Sequence, residues 1–254
     1  MAIAVKRYGW KPDHPDHRDF KYRATAPVLQ ALPVKTDLRS GCPAIDNQLE
    51  LGSCTAQALS GLCQFVDSKI GVDDVVKPSR LFIYYNERRI EGTTDSDSGA
   101  YLRDGMKALQ RWGYPPEELW PYDIYKFARQ PSKVIYEAAV SSKIDTYSRV
   151  TQSEKHLKAC LAEGFPVVFG FTVYNSFEAE HVAHTGIMTM PIHSEAPVGG
   201  HAVMLVGYDD EKQYWIVRNS WGVEWGDKGY FYMPYSYLVD PDLSADFWTV
   251  RYVA

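Results

Sequence analysis

The chain has 254 residues, of which 45% are hydrophobic and 23% charged, with a formal net charge of -5 at pH 7. That balance belongs to a globular protein; no Lys/Arg run points to nucleic acid, and no stretch approaches the ~18 apolar residues of a membrane span. Four cysteines are too few for a disulfide scaffold, and no internal repeat is visible.

Residues 1–33 are rich in Pro, Asp and His and hold no sustained period, so they read as an extended arm. The first ten residues, Met1 to Trp10, lack the apolar core of a secretion signal. The expectation is a cytoplasmic protein, or export by a route or leader that this chain does not display. His14 and His17 fall in the arm as solvated surface, and Cys42 has no evident place. Helical patterns dominate from 54 to about 142. Ser53 is a good N-cap, and the run Ala56, Ala58, Leu59, Leu62, Cys63, Phe65, Val66 and Ile70 has helical spacing until Gly71 stops it. Ser79 caps a second helix through Ile90, ended by Gly92. Further helices are predicted over 101–112, 132–142 and 153–163, the first and last ended by Gly113 and Gly164. Strand patterns follow at 166–174, 202–208, 214–218, 229–233 and 247–252. A helical part followed by an antiparallel β part is an α+β class, divided as arm 1–33, helical lobe 34–145 and β lobe 146–254.

Four residues in this frame suggest chemistry. Cys54 falls at the first position of a helix, where unpaired N–H groups and the helix dipole favour a thiolate. His201 follows Val198-Gly199-Gly200 and opens the strand Ala202 to Tyr208, so it can face a cleft. Asn219 ends the strand Tyr214 to Val217, and its amide oxygen suits an imidazole N–H, with Trp221 shielding that bond. Gln48 precedes the cysteine as an oxyanion donor. Taken singly, each has an ordinary explanation: a buried core cysteine, a satisfied strand-end His, a turn Asn. Cys63 and Cys160, inside apolar helical patterns, keep the core reading. His181 and His184 lack the intervening Glu and nearby Cys of a zinc site, so neither metal nor cofactor is expected.

Together the motifs resemble the papain family of cysteine peptidases, the cathepsin relatives, over about residues 36 to 235. The family pattern Gln-Gly-x-Cys-Gly-Ser-Cys-Trp is met in register by Gln48, Gly52, Ser53 and Cys54, while Leu49, Leu51 and Thr55 depart from it. His201-Ala202-Val203 through Val206-Gly207-Tyr208, Asn219-Ser220-Trp221-Gly222, Trp225-Gly226 and Gly229-Tyr230 match the later motifs. Leu51 replaces a cysteine that the family normally bridges, so that disulfide is not expected. Thr55 replaces a Trp beside the nucleophile. These departures suggest a bacterial-type branch.

The resemblance implies a papain-like two-lobe fold, a helical left lobe and an antiparallel β-barrel-like right lobe with the active-site cleft between them. It implies a thiol protease, a cysteine endopeptidase acting through a Cys54 thioester. His201 would be general acid/base in an ion pair with the thiolate, Asn219 its orienter, and Gln48 with the Cys54 N–H the oxyanion hole. Gly99, Gly200 and Trp221 would line the substrate site, with Gly99 on the strand that pairs with substrate. The partner is a peptide or protein substrate, the protein is expected to be a monomer, and neither nucleic acid nor membrane is called for. The family is made as a zymogen with an N-terminal inhibitory segment. Here the arm is far shorter than that prodomain and lacks its helical period; Tyr8-Gly9-Trp10-Lys11-Pro12 either lies extended near Cys54 with Trp10 as anchor, or belongs to an ordinary arm packed on the lobe surface. The alternatives are a catalytically silent papain-like binding module and an acyl transferase using the same Cys–His chemistry.

Overall fold

The computed structural model describes residues 7–24 and 26–253. The first six residues, which carry part of the secretion-signal reading, lie outside the described residues. In chain order the elements are β1 (Trp10–Lys11), α1 (Ala26–Gln30), β2 (Lys35–Asp37), α2 (Cys54–Ile70), α3 (Arg80–Glu91), β3 (Ala100–Tyr101), α4 (Leu102–Trp112), α5 (Lys133–Ala139), β4 (Ile144–Arg149), α6 (Glu154–Ala162), β5 (Val167–Tyr174), α7 (Glu180–Thr185), β6 (Pro197–Asp209), β7 (Tyr214–Arg218), β8 (Tyr230–Pro234), α8 (Tyr235–Val239) and β9 (Ser244–Val253).

The long helix α2 is buried on nearly every side from Cys54 to Cys63, and its buried polar side chains Thr55, Gln57 and Ser60 are each hydrogen-bonded, as burial requires. On one side it meets Leu81 of α3 and Met106 and Leu109 of α4; on the other it meets Met204, Ile216 and Val250 of the sheet. Gly71 ends it in a left-handed conformation (φ 76°), donating to the carbonyls of Asp67 and Ser68. Such a turn has little steric cost only for glycine.

The main sheet is antiparallel, in the order β4-β9-β5-β6-β7-β8, with β2 added against the end of β6. Strand alternation divides it cleanly. Val168, Met204 and Ile216 face α2, while Phe169, Phe171, Leu205, Trp215, Phe231 and Phe247 form an aromatic core on the opposite face. Both faces are therefore covered without closure. The sheet is open, with β4 and β8 at its ends, which corrects the barrel-like description.

Strand β6 starts at Pro197, five residues before the predicted strand, because Pro197 to Gly200 pair with Tyr174 to Thr172 of β5. That extension puts Gly199, Gly200 and His201 on a rigid ladder. The arm crosses the molecule beside it. Its β1 pairs in parallel with β3, Trp10 opposite Ala100 and Lys11 opposite Tyr101.

Candidate active site

Cys54 opens α2 and is fully buried. Its sulfur accepts the Ala202 N–H at 3.4 Å, which ties the helix terminus to the mouth of β6. Ser53 does not cap α2 through its side chain. Its hydroxyl instead lies 2.6 Å from the Tyr122 hydroxyl and accepts from Gln57 Nε2 at 3.2 Å. A competing side-chain partner thus takes the predicted cap.

His201 and Asn219 are brought together by neighbouring strands, β6 and the end of β7. The His201 Nε2 to Asn219 Oδ1 distance is 2.8 Å. The same oxygen accepts the Ser220 N–H at 2.8 Å, which fixes the amide orientation. A carbonyl oxygen only accepts, so Nε2 carries the proton and the neutral ring keeps Nδ1 as its basic nitrogen. Trp221 stacks on the imidazole, ring centroids 4.8 Å apart and planes 23° apart. Gln48 is fully buried beside them. Its Oε1 accepts from Ser220 Oγ at 2.8 Å, and its Nε2 donates to Leu51 O at 3.0 Å and Arg7 O at 3.1 Å.

The last of these bonds belongs to the arm. A backbone carbonyl of residues 7–11 reaches the Gln48 amide, and the Gly9 N–H faces the Cys54 sulfur. Gly9 O accepts the Ala100 N–H at 2.7 Å. A Cβ on Gly9 would fall 1.8 Å from Gly52 O, so only glycine passes over the helix terminus here. Tyr8 lies edge-on to His201 at 6.1 Å. Trp10 fills a pocket between the lobes at 7% exposure. Its ring covers Gly170 and Gly200, where any side chain would collide with it, and its Nε1–H donates to Asp246 Oδ2 at 3.2 Å. Gly99 (φ 68°) floors the arm's path, but the backbone N–H that pairs belongs to Ala100, one residue later than the predicted strand.

This cover changes the electrostatics. Burial pushes the Cys54 thiol up to about 12; the Ala202 and Gly9 N–H groups pull it back only in part, and Glu87 adds to the rise. The arm's cover therefore works against the thiolate of the expected ion pair, because it excludes water that would solvate charge. Glu87, buried in α3, accepts from Thr55 Oγ1 at 2.8 Å and is itself held well above the carboxylate range by burial. Thr55, at the position where the family pattern has a Trp, is thus tied to Glu87 of α3.

The sequence did not single out the residues that hold the arm. Arg103, Arg149, Asp246 and Asp97 are scattered through α4, β4, β9 and the loop before β3, and no local pattern marks them. His181 and His184 lie on the exposed helix α7, with His184 3.5 Å from Glu180. The four cysteines are free, and half-buried Cys42 lies 3.5 Å from Leu38 O.

A model of the papain family of cysteine proteases matches residues 32–238. The chain is similar to xylellain, a cysteine protease from Xylella fastidiosa, with 42% identity, a TM-score of 0.93 and all of both chains covered. It is 43% identical over 215 residues to an uncharacterised peptidase C1-like protein of Acanthamoeba polyphaga mimivirus, covering 82% of this chain and 69% of that one. A cathepsin B-like protein of Giardia intestinalis is 30% identical over 227 residues, covering 82% and 71% respectively.

Proposed function

Because the chain belongs to the papain family of cysteine proteases, we propose that Cys54, His201, Asn219 and Gln48 perform its peptide hydrolysis and that the arm holds them in check. The observation that carries both is the bond from Gln48 Nε2 to the Arg7 carbonyl. A peptide carbonyl of the arm takes the amide donor that would meet a substrate carbonyl, two residues before the Gly9 N–H that faces the thiol. The division into arm 1–33, helical lobe 34–145 and β lobe 146–254 belongs to the same reading, with the cleft between the lobes.

Once the arm is displaced, His201 Nδ1 takes the Cys54 proton and the thiolate attacks the scissile carbonyl carbon. The oxygen gains charge against Gln48 Nε2–H; one such donor contributes about 3–4 kcal/mol in the transition state. The imidazolium, held by Asn219, gives its proton to the departing amine as the C–N bond breaks. Water, losing a proton to His201, then attacks the thioester and releases the acid. Gly200 and Trp221 border the substrate, and the Ala100 N–H pairs with its backbone.

The test compares the full chain with a variant that begins near Leu32. The variant is expected to hydrolyse peptides faster, and a synthetic peptide of residues 1–30 to inhibit it. A folded variant that is no more active, with no inhibition by the peptide, makes the arm structural only.

A further inference from the structure

Beyond Trp10, the arm carries two carboxylates into a basic hollow at the far end of the cleft. Asp19 is held in a fork by Arg103, through Nε at 3.0 Å and Nη2 at 2.7 Å, and lies 3.3 Å from Arg149 Nε. Asp13 has no exposed side-chain surface. Its Oδ1 accepts the Arg103 backbone N–H at 3.1 Å; its Oδ2 accepts the Trp248 indole N–H at 3.0 Å and lies 3.5 Å from Arg149 Nη2. The two guanidinium carbons stand 5.7 and 4.9 Å from the Trp248 ring centre, so indole and guanidiniums are packed in place.

The charge balance depends on the arm. The partners of the Arg103 guanidinium, Asp19 and the His14 carbonyl, both belong to it. Outside the arm, Asp246 is the carboxylate that faces the hollow, 2.8 Å from Arg149. The neighbouring Asp104 is turned to Lys107 at 2.8 Å. Removing the arm therefore leaves two guanidiniums and one indole N–H against a single carboxylate. Fixed guanidinium forks of this kind match carboxylates in two-point contact.

We propose that Arg103, Arg149 and the Trp248 N–H form an acid-recognising subsite, which takes an Asp or Glu side chain of the peptide substrate after the arm's Asp13 and Asp19 have left it. The inference rests on the reading that the arm is displaced for catalysis. The Arg103 fork that holds Asp19 fixes where the charged side chain binds, whereas burial and Asp246 push a carboxyl at Asp13's place up to about 7; Asp13 lies three residues beyond Trp10, so the acidic residue is expected beyond the third position from the one in the Trp10 pocket, on the side away from the scissile bond. Nearer the thiol the sign reverses. Arg7 pairs with Asp97 at 2.8 Å, and Lys11 pairs with Glu91, so an acid placed there is disfavoured. The charge preference therefore has a direction along the substrate.

The test uses the full chain carrying Trp10→Ala, which opens the arm and leaves Arg103, Arg149 and Trp248 in place, removing from the hollow's edge the indole bond to Asp246. A single Asp is walked along an otherwise neutral fluorogenic peptide, with Asn and Lys at the same positions as controls. At one far position kcat/KM for Asp is expected to exceed that for Asn by about tenfold, a charge-assisted contact discounted for partial exposure. The gain should sit in KM and shrink as salt is added. In Trp10→Ala/Arg103→Gln the Asp/Asn ratio should fall to about one; because it is a ratio within one protein, loss of folded or open enzyme does not move it. Cleavage of neutral peptides with no Asp preference at any position overturns the subsite alone. No gain over the unmodified chain on any peptide overturns both the displacement reading and the subsite that depends on it.

Discussion

Trp10→Ala is the sharpest single perturbation of the covered site. Trp10 is 7% exposed, pairs with Ala100, covers Gly170 and Gly200 with its ring, and donates to Asp246. Truncating a buried Trp to Ala costs about 3–5 kcal/mol in transfer and cavity terms. Here that cost falls on docking of the arm rather than on the fold, because the ring fills a pocket whose walls are glycines and strand backbone. At about 1.4 kcal/mol per tenfold, the population with the arm lifted should rise on the order of 10²–10⁴-fold, up to the limit of complete opening. The assay is the rate at which a small electrophile alkylates Cys54 at fixed pH, followed by intact mass, beside the rate of peptide hydrolysis. Both are expected to rise together. A folded variant whose alkylation and hydrolysis rates match those of the unmodified chain would refute the assignment of Trp10 as the anchor.

The remaining expectations concern chemistry and pH. Cys54→Ala should abolish hydrolysis, whereas Cys63→Ala and Cys160→Ala, which remove core sulfurs, should keep it; activity measured beside thermal melting separates the two cases. Asn219→Ala and Gln48→Ala should each lower kcat more than they raise KM, since neither is expected to add ground-state affinity, and a pure KM effect would remove them from the machinery. The arm should hold more firmly in acid. Burial, then the charge of Asp246, raises docked Asp13 to about 7, with Arg103 pulling the other way; on a free arm it would titrate near ~3.9. A group raised in the docked state stabilises docking fully below its free value and loses that contribution as pH rises through about 7. Cys54 alkylation, corrected for the reagent's own pH dependence in Trp10→Ala, should therefore increase between roughly pH 4 and 7, and Asp13→Asn should flatten that rise.

How far the molecule could be read beforehand follows from how local its signals are. Helix α2 was legible because its apolar spacing and the Gly71 stop lie in one continuous segment. β5, β6 and β7 were legible because strands buried on both faces read as unbroken apolar runs. β4 was missed: Ile144-Asp145-Thr146-Tyr147-Ser148-Arg149 is a half-exposed edge strand with no apolar run. β1 and β3 are two residues each and exist only as each other's partners. The path of Tyr8 to Trp10 over Cys54 was an expectation built on resemblance rather than on pattern. Its supports could not be seen, because the Asp13 to Asp246 contact joins residues 233 apart. The upward push on the thiol escaped for the same reason, since part of its cover is a segment that no local signal ties to Cys54.

The central claim is that one thiol, Cys54, carries the hydrolysis. Trp10→Ala protein is treated with a limiting series of a thiol-directed epoxide, and residual hydrolysis is plotted against the modified fraction of each cysteine found by peptide mapping. The account predicts that activity falls linearly to zero at one equivalent, with the label on Cys54 and with Cys42, Cys63 and Cys160 unmodified. Hydrolysis that persists when Cys54 is fully labelled would contradict it.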